Sequence, residues 1–360
     1  MARARLGVVS SHLLPIAAAA EQRVGVTFDY EDKVSVPARR RTKVRWHEPV
    51  RRVLLVKRRG SREVSSVAND VARWLASKGI QVIVEVGDLR DYPEVPGLST
   101  LCTEEVGSQA VDLVVALGGD GTFLHASRLL RFVQRVNHLL PPCLVIGMGS
   151  LGFLATVAAA DWRPALARAL RGDVDPVPCT LRTRLKVCLR SQEASSPWYA
   201  LNECAILSRG ESIGKLRLFV DGTLVTLVEG DGLLISTPTG STGYSLSCGG
   251  PIVSPSVPGT LLTPIAPASL SFRAVMISEL STVEVVLPSG ARSPSAEVVI
   301  DGRAMGNLGR GDSVFVTVGR PIPVLNVSAL DRDWFGAITA KLKWNQRDTE
   351  QADLEAEPED

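Results

Sequence analysis

Short apolar runs separated by amphipathic stretches organise the first half of the chain. Val53-Leu54-Leu55-Val56 is continuous and brief, which predicts a buried strand. Ser61 then stands as an N-cap ahead of Val64, Val67, Val71 and Leu75, whose spacing of three and four predicts a helix. Gln81 to Val86, Leu113 to Leu117 and Cys143 to Ile146 predict three more strands, with a helical run from Phe123 between the last two. Strands alternating with helices predict a parallel sheet covered on both faces. Beyond about residue 176 the period changes. Leu181 to Arg190, Leu216 to Asp221, Thr223 to Val228, Gly232 to Ser236, Val283 to Leu287, Val298 to Asp301, Ser313 to Val318 and Val324 to Val327 all predict strands. Asp221-Gly222 between two such runs signals a hairpin turn. An α/β half is therefore followed by an all-β half, and Trp334 to Leu342 predicts a closing helix.

Composition narrows the function classes. The chain has 360 residues, enough for two domains, and 45% are apolar, enough for a sizeable core. Forty Lys+Arg against 38 Asp+Glu leave +2, which gives no general attraction to nucleic acid. No apolar run approaches the ~18 residues of a membrane span. The six cysteines contain no CxxC pair, so reduced, buried thiols are expected rather than a zinc site or a disulfide framework. Residues 1–20 carry Arg3, Arg5 and His12 and no acid, and predict a disordered leader. The cytoplasm is the expected compartment; were residues 1–20 a transit peptide, it would be a mitochondrion or a plastid. Ten basic residues between Arg39 and Arg59 predict a solvated arm, and seven acids in residues 348–360 predict a disordered tail.

Chemistry concentrates at three places. The third strand ends in Leu117-Gly118-Gly119-Asp120-Gly121-Thr122 before a helix. Glycines there let the backbone approach a ligand, and a helix N-terminus suits phosphate. Asp120 adds a negative charge, which makes sense if it binds Mg²⁺ or accepts a hydroxyl proton. Asp231 to Tyr244, DGLLISTPTGSTGY, runs from a short strand into a loop dense in hydroxyls that can bond an adenine edge or phosphate oxygens. Asn202-Glu203 precedes the apolar run Cys204 to Leu207 and taken alone reads as a surface pair at a strand edge. Three decoys fail. Gly147, Gly149 and Gly152 match GxGxxG but follow the fourth strand, not the first. Gly210 to Leu216 lacks the P-loop spacing and its Ser/Thr. Gly240 to Gly243 is one residue short of a hydrolase elbow, with no histidine downstream.

Together these motifs resemble the NAD kinase family. The match rests on Gly118 to Thr122, Asn202-Glu203 and Asp231 to Tyr244, in that order. It is extended by Gly149 to Leu154, Ser269 to Arg273, Asp301-Gly302-Arg303 and Lys343-Trp344-Asn345. Val44-Arg45-Trp46 and the closing Trp344-Asn345 look like the eukaryotic branch. The resemblance implies a Rossmann-like N-terminal α/β domain and a β-sandwich-like C-terminal domain, with the last helix returning to the first. It divides the chain into a leader (1–43), an α/β domain (44–175), a β-rich domain (176–327), the returning helix (328–346) and an acidic tail (347–360). It implies ATP-dependent phosphorylation of the 2′-hydroxyl of NAD or NADH, with Mg²⁺ entering on ATP. Asp120 is then the general base. Gly118, Gly119, Gly121 and Thr122 hold the ATP phosphates. Asn202, Thr239, Thr242, Gly243, Tyr244 and Ser247 surround the adenine and its ribose, and Glu203 and Asp231 reach the ribose and nicotinamide parts. It also implies a homodimer or homotetramer through the β-rich domain.

Two residues depart from the family pattern. Gly243 stands where most members have alanine, and Ala268 where many have histidine. If that histidine meets phosphates, another cation must serve in this chain. Two rivals remain at this level: a lipid kinase sharing the glycine–aspartate motif, and a nucleotide sensor without turnover.

Overall fold

The computed structural model describes residues 26–29, 41–103, 109–133, 140–149, 152–155, 157–172, 174–190, 197–208, 214–327 and 332–345. The expectations for residues 1–20 and 348–360 lie outside these. Five parallel strands run side by side in the order Cys143–Gly147, Leu113–Leu117, Arg52–Lys57, Gln81–Val84, Ser99–Thr100. The apolar runs are continuous because both faces of the strands are covered. Val53, Leu55, Leu113 and Val115 pack in one cluster with Val64, Val71 and Leu75 of helix Arg62–Ser77. Leu54, Val56, Val114 and Ala116 pack on the other face with Phe123 and Ala126 of helix Asp120–Leu129. Ser61 Oγ accepts the N–H of Val64 at 3.4 Å, as its N-cap position predicts.

The second half is antiparallel. Strands Val275–Ser278, Gly259–Ile265, Gly232–Ser236, Glu203–Ser208, Ser295–Ile300 and Arg303–Gly309 form one sheet in that order. Ile206, Leu233, Ile235 and Val298 of this sheet share a core with Leu185, Val187, Leu216 and Val314 of the facing sheet, which makes a sandwich. Two long strands, Val177–Arg190 and Ser313–Leu325, tie the halves together. Near Leu325 the pair joins the parallel sheet through Val324 and Cys143; near Ser313 it joins strand Val283–Val286. The two separate strands expected over 313–327 are one, with a register break between Gly319 and Ile322 where Pro321 cannot donate to the ladder.

The basic arm is a correction. Arg41–Trp46 is a strand pairing with Val26–Asp29 on one side and with Val177–Arg190 on the other, so the leader expected over 1–43 overlaps two strands. Thr42, Val44 and Trp46 are buried while Lys43 and Arg45 are half-exposed. That alternation is a period-2 signal hidden under the charge. Trp46 Nε1 donates to Ala169 O at 2.7 Å, locking this strand to helix Trp162–Leu170. Among the cysteines, Cys143, Cys179 and Cys204 are buried but Cys102 is exposed.

Candidate active site

The order of the parallel strands reverses between Arg52–Lys57 and Leu113–Leu117, so the chain leaves these two carboxyl ends in opposite directions and opens a crevice there. Gly118 lies on the rim. Its φ of +155° and the overlap a Cβ would make with Thr122 Oγ1 both require glycine. Helix Asp120–Leu129 starts three residues earlier than the expected Phe123, because Gly119 O already accepts the N–H of Thr122 and of Phe123. This leaves the N–H groups of Asp120 and Gly121 as helix-terminal donors without an intrahelical acceptor. Thr122 is buried, with Oγ1 in the space a side chain on Gly118 would need.

Asp120 turns toward the segment after the fourth strand. Oδ2 accepts the N–H of Phe153 at 3.0 Å, and Oδ1 accepts those of Leu154 at 3.0 Å and Ala155 at 3.4 Å. A Cβ on Gly152 would overlap Asp120 Oδ1. That explains the last glycine of the rejected GxGxxG match: it admits a carboxylate rather than a dinucleotide. Arg182, 5% exposed, is buried within electrostatic reach of Asp120, and its Nε lacks a hydrogen-bond partner among the described residues. Burial pushes its guanidinium down to about 10, and the charge of Asp120 opposes that shift. Sequence reasoning missed Arg182, since a lone arginine in a strand carries no pattern. Lys341 of helix Arg332–Leu342 lies 5.7 Å from the centroid of the Phe153 ring.

A test follows from Gly152. In Gly152→Ala the clash falls on the end of a flexible side chain, so the protein folds but Asp120 is displaced. A misplacement of ~1 Å at a reacting group costs about 10²-fold in rate. Turnover should fall by about that factor with little change in melting temperature; unchanged kcat would show that Asp120 need not sit where it does.

The Asn202–Glu203 pair is not a surface pair. Glu203 is 7% exposed. Asp301, at φ +45° in the turn before Arg303, accepts the backbone N–H groups of Leu201 and Asn202 at 2.8 Å and of Glu203 at 3.1 Å. The turn is thus a clamp on the pair, which the Asp301-Gly302-Arg303 match did not reveal. Thr237 N donates to Asn202 O, and Thr237 Oγ1 donates to Leu201 O at 2.6 Å. A Cβ on Gly240 would overlap Asn202 O, so that glycine permits close approach of the hydroxyl-rich segment. Two side-chain acceptors, Asn202 Oδ1 and Glu203 Oε2, are buried with no hydrogen-bond partner among the described residues. A Cβ on Gly243 would meet nothing closer than 3.4 Å, with Glu203 Oε2 at 3.6 Å and Asn202 Nδ2 at 3.7 Å, so alanine fits and its absence leaves a small gap beside the pair.

The segment expected as a loop is helical: Thr239–Thr242 is a 3₁₀ turn and Tyr244–Ser247 one α-turn. Half of its six hydroxyls are spent internally. Ser241 Oγ donates to Pro238 O at 2.7 Å and accepts from Val253 N at 2.9 Å, Ser245 bonds Thr263, and Thr242 Oγ1 donates to Thr239 O at 3.3 Å. Thr239 is buried; Tyr244 and Ser247 are exposed. Asp231 is exposed at the opposite end of strand Gly232–Ser236, about 16 Å along it at ~3.3 Å per residue. Tyr244 lies between: burial pushes its hydroxyl up, with Cys248, Asp231 and Glu203 adding to the shift.

The two halves of the site meet through one apolar cluster that holds Phe123, Leu154 and Leu201. Arg128, at the end of the Asp120 helix, is pushed down by burial and by Arg303, with Asp301 opposing.

Glu203 makes stability depend on pH. Burial, and then the charge of Asp301, push its carboxyl from an ordinary 4.5 to about 7. Asp301 is also pushed up by burial, with its three backbone N–H bonds and the charge of Arg128 opposing the shift. Between pH 4.5 and about 7 the folded protein holds a proton that the unfolded chain has released. Stability therefore falls as pH rises through that window. Glu203→Gln keeps the neutral form at all pH and should raise stability above pH 7 by about 1–3 kcal/mol, with little gain at pH 5. Urea unfolding at pH 5 and pH 8 measures this; an equal effect at both would show that Glu203 titrates normally.

Comparison with known proteins agrees with this geometry. Residues 53–174 match the model of the ATP-NAD kinase N-terminal domain, and residues 201–324 that of the ATP-NAD kinase C-terminal domain. A mitochondrial NADH kinase of Schizosaccharomyces pombe is 33% identical over 308 residues, covering 84% of this chain and 77% of that protein. The chain belongs to the NAD kinase family. Within that family, the chloroplastic NAD kinase 2 of Arabidopsis thaliana is 35% identical over 325 residues, 86% of this chain. The chain spans 32% of that relative's length. A crystal structure of yeast NADH kinase complexed with NADH superposes with a TM-score of 0.73 at 27% identity, covering 89% of this chain and 94% of that one. Neither rival, the lipid kinase or the silent sensor, is supported by these matches.

Proposed function

We propose that this NAD kinase family member transfers the γ-phosphate of ATP to the 2′-hydroxyl of the adenosine ribose of NAD or NADH. One observation carries this reading. A single apolar cluster brings the Asp120 helix to the residue preceding Asn202 and Glu203, whose buried Oδ1 and Oε2 have no partner among the described residues. Buried acceptors without partners are costly unless a ligand satisfies them. The adenine edge and the ribose hydroxyls of a dinucleotide supply such donors. Asn202 and Glu203 then hold the acceptor, with Gly243, Thr239, Thr242, Tyr244 and Ser247 around it. Asp120 takes the proton as the 2′-oxygen attacks, and the N–H groups of Asp120 and Gly121 face the phosphates. Phosphoryl transfer needs mainly alignment and charge neutralisation, which this arrangement can supply.

Mg²⁺ belongs to the proposal as a companion of ATP. Among the described residues no three His, Cys, Asp or Glu side chains cluster as a cage. Such an ion would be held largely by the ATP phosphates and would supply charge neutralisation, leaving Asp120 to take the proton. A homodimer or homotetramer through the β-rich half is supported by exposed apolar side chains on one strand of each sheet, Leu224, Val225 and Leu227 on Thr223–Gly230 and Val275 and Met276 on Val275–Ser278. Light scattering tests it. A cytoplasmic location, or an organelle like those named for the chloroplastic and mitochondrial relatives, is read by fractionation of cells making the full chain.

The deciding assay incubates purified protein with ATP, Mg²⁺ and either NAD or NADH, and reads product with an NADP-specific dehydrogenase. Product from at least one acceptor is expected. No product from either would overturn the reading.

A further inference from the structure

Three consecutive cations, Lys57, Arg58 and Arg59, leave the carboxyl end of strand Arg52–Lys57 at the crevice. Two of them are already neutralised. Lys57 is buried, with Nζ 2.6 Å from Asp91 Oδ2 and 3.5 Å from Asp88 Oδ1. Arg59 pairs with Asp88 at 3.0 Å and with Glu85 at 3.2 Å, and Glu85 also binds His125 at 2.8 Å. Arg58 is exposed and has no carboxylate partner among the described residues. It is also the one of the three placed against the glycine motif. Its N–H donates to Leu117 O at 2.8 Å, and its Cβ lies 3.1 Å from where a Gly118 side chain would begin.

Ala268 cannot supply the missing cation, and its position shows why a replacement from that segment is not expected. Its N–H bonds Glu229 O, so it sits at the Asp231 end of strand Gly232–Ser236, the opposite end from Asn202. Arg182 is buried within electrostatic reach of Asp120, and Arg52 is paired with Asp112 at 3.0 Å. An arginine at the rim, unneutralised and next to a glycine that lets phosphate approach, is placed for an anion with several oxygens.

We propose that Arg58 binds the phosphates of the nucleoside triphosphate donor, across the crevice from the N–H groups of Asp120 and Gly121. This rests on the kinase reading above. Its neighbours Asp88, Asp91 and Glu85 hold Lys57 and Arg59 away, so one cation, not three, meets the donor. The acceptor dinucleotide, bound by Asn202 and Glu203, does not depend on it.

The test is steady-state kinetics of Arg58→Ala with each substrate varied in turn. NADP(H) formation by the wild type first establishes the kinase reading on its own. Given that activity, loss of a charge-assisted contact should raise KM for ATP about 10- to 100-fold, while KM for NAD stays within about twofold. Arg58→Lys should recover part of the loss, since it keeps the charge but not the fork. The rise of KM for ATP with ionic strength should flatten in Arg58→Ala. Arg59→Ala is the control: it breaks the pairs with Glu85 and Asp88 and should lower the melting temperature with little change in KM for ATP. An unchanged KM for ATP in Arg58→Ala, or equal rises for both substrates, overturns the proposal and leaves the kinase reading intact. Should the alanine variant lose its fold, ATP affinity of Arg58→Gln by calorimetry decides, with wild-type affinity counting against Arg58.

Discussion

Replacing Asp120 by asparagine should lower kcat by about 10²–10⁴ while leaving the affinities for ATP and NAD near wild type. The argument combines chemistry with the observed hydrogen bonds. A carboxylate offers roughly four lone-pair sites. Backbone N–H groups of Phe153, Leu154 and Ala155 fill three of them, two on Oδ1 and one on Oδ2. The remaining site, on Oδ2, has no donor among the described residues and can take a hydroxyl proton. Asparagine has one acceptor oxygen, and its NH₂ would face either these backbone donors or the substrate. It can keep part of the loop contact or face the substrate, but it cannot accept a proton in either pose. Single-turnover rates and equilibrium binding separate the two effects. More than half of wild-type activity at saturating substrates would exclude Asp120 as the base.

Asn202→Ala should raise KM for NAD by about 10- to 100-fold, the loss of one or two hydrogen bonds to a bound base, with a much smaller effect on ATP. The structure strengthens this expectation because it assigns the structural work at this position to the backbone. The N–H of Asn202 bonds Asp301, and its carbonyl accepts from Thr237. Alanine keeps both. What it removes is a side chain whose Oδ1 is buried and has no partner among the described residues. The melting temperature should therefore stay close to wild type. Equal losses for both substrates, together with a lower melting temperature, would mean that Asn202 only ends a strand.

Much of this was legible in the sequence, for local reasons. The parallel strands announced themselves because a strand covered on both faces must be apolar at every position, as at Val53 to Val56. Ser61 and the spacing behind it marked a helix because capping and the 3.6 period are local properties. The glycine–aspartate motif was readable because a tight approach at a strand end needs glycine wherever it occurs. Charge density misled at Arg41–Trp46, where alternate residues point into the core and the outward ones alone set the composition.

By itself, then, the sequence determined the alternation of elements, the change of texture near residue 176 and the three motifs, since each depends on residues close along the chain. Only the tertiary structure decided which groups are spent and which are open. Ser241 and Thr237 turned out to hold a turn together, Asp301 to clamp a pair about a hundred residues away, Gly152 to make room for Asp120, and Arg182 to lie buried within its electrostatic reach. Lys57 and Arg59 found carboxylates while Arg58 between them found none among the described residues. The physical reason is that hydrogen-bond partners, desolvation and ion pairing are fixed by distances between segments far apart in sequence, and no local spacing encodes them.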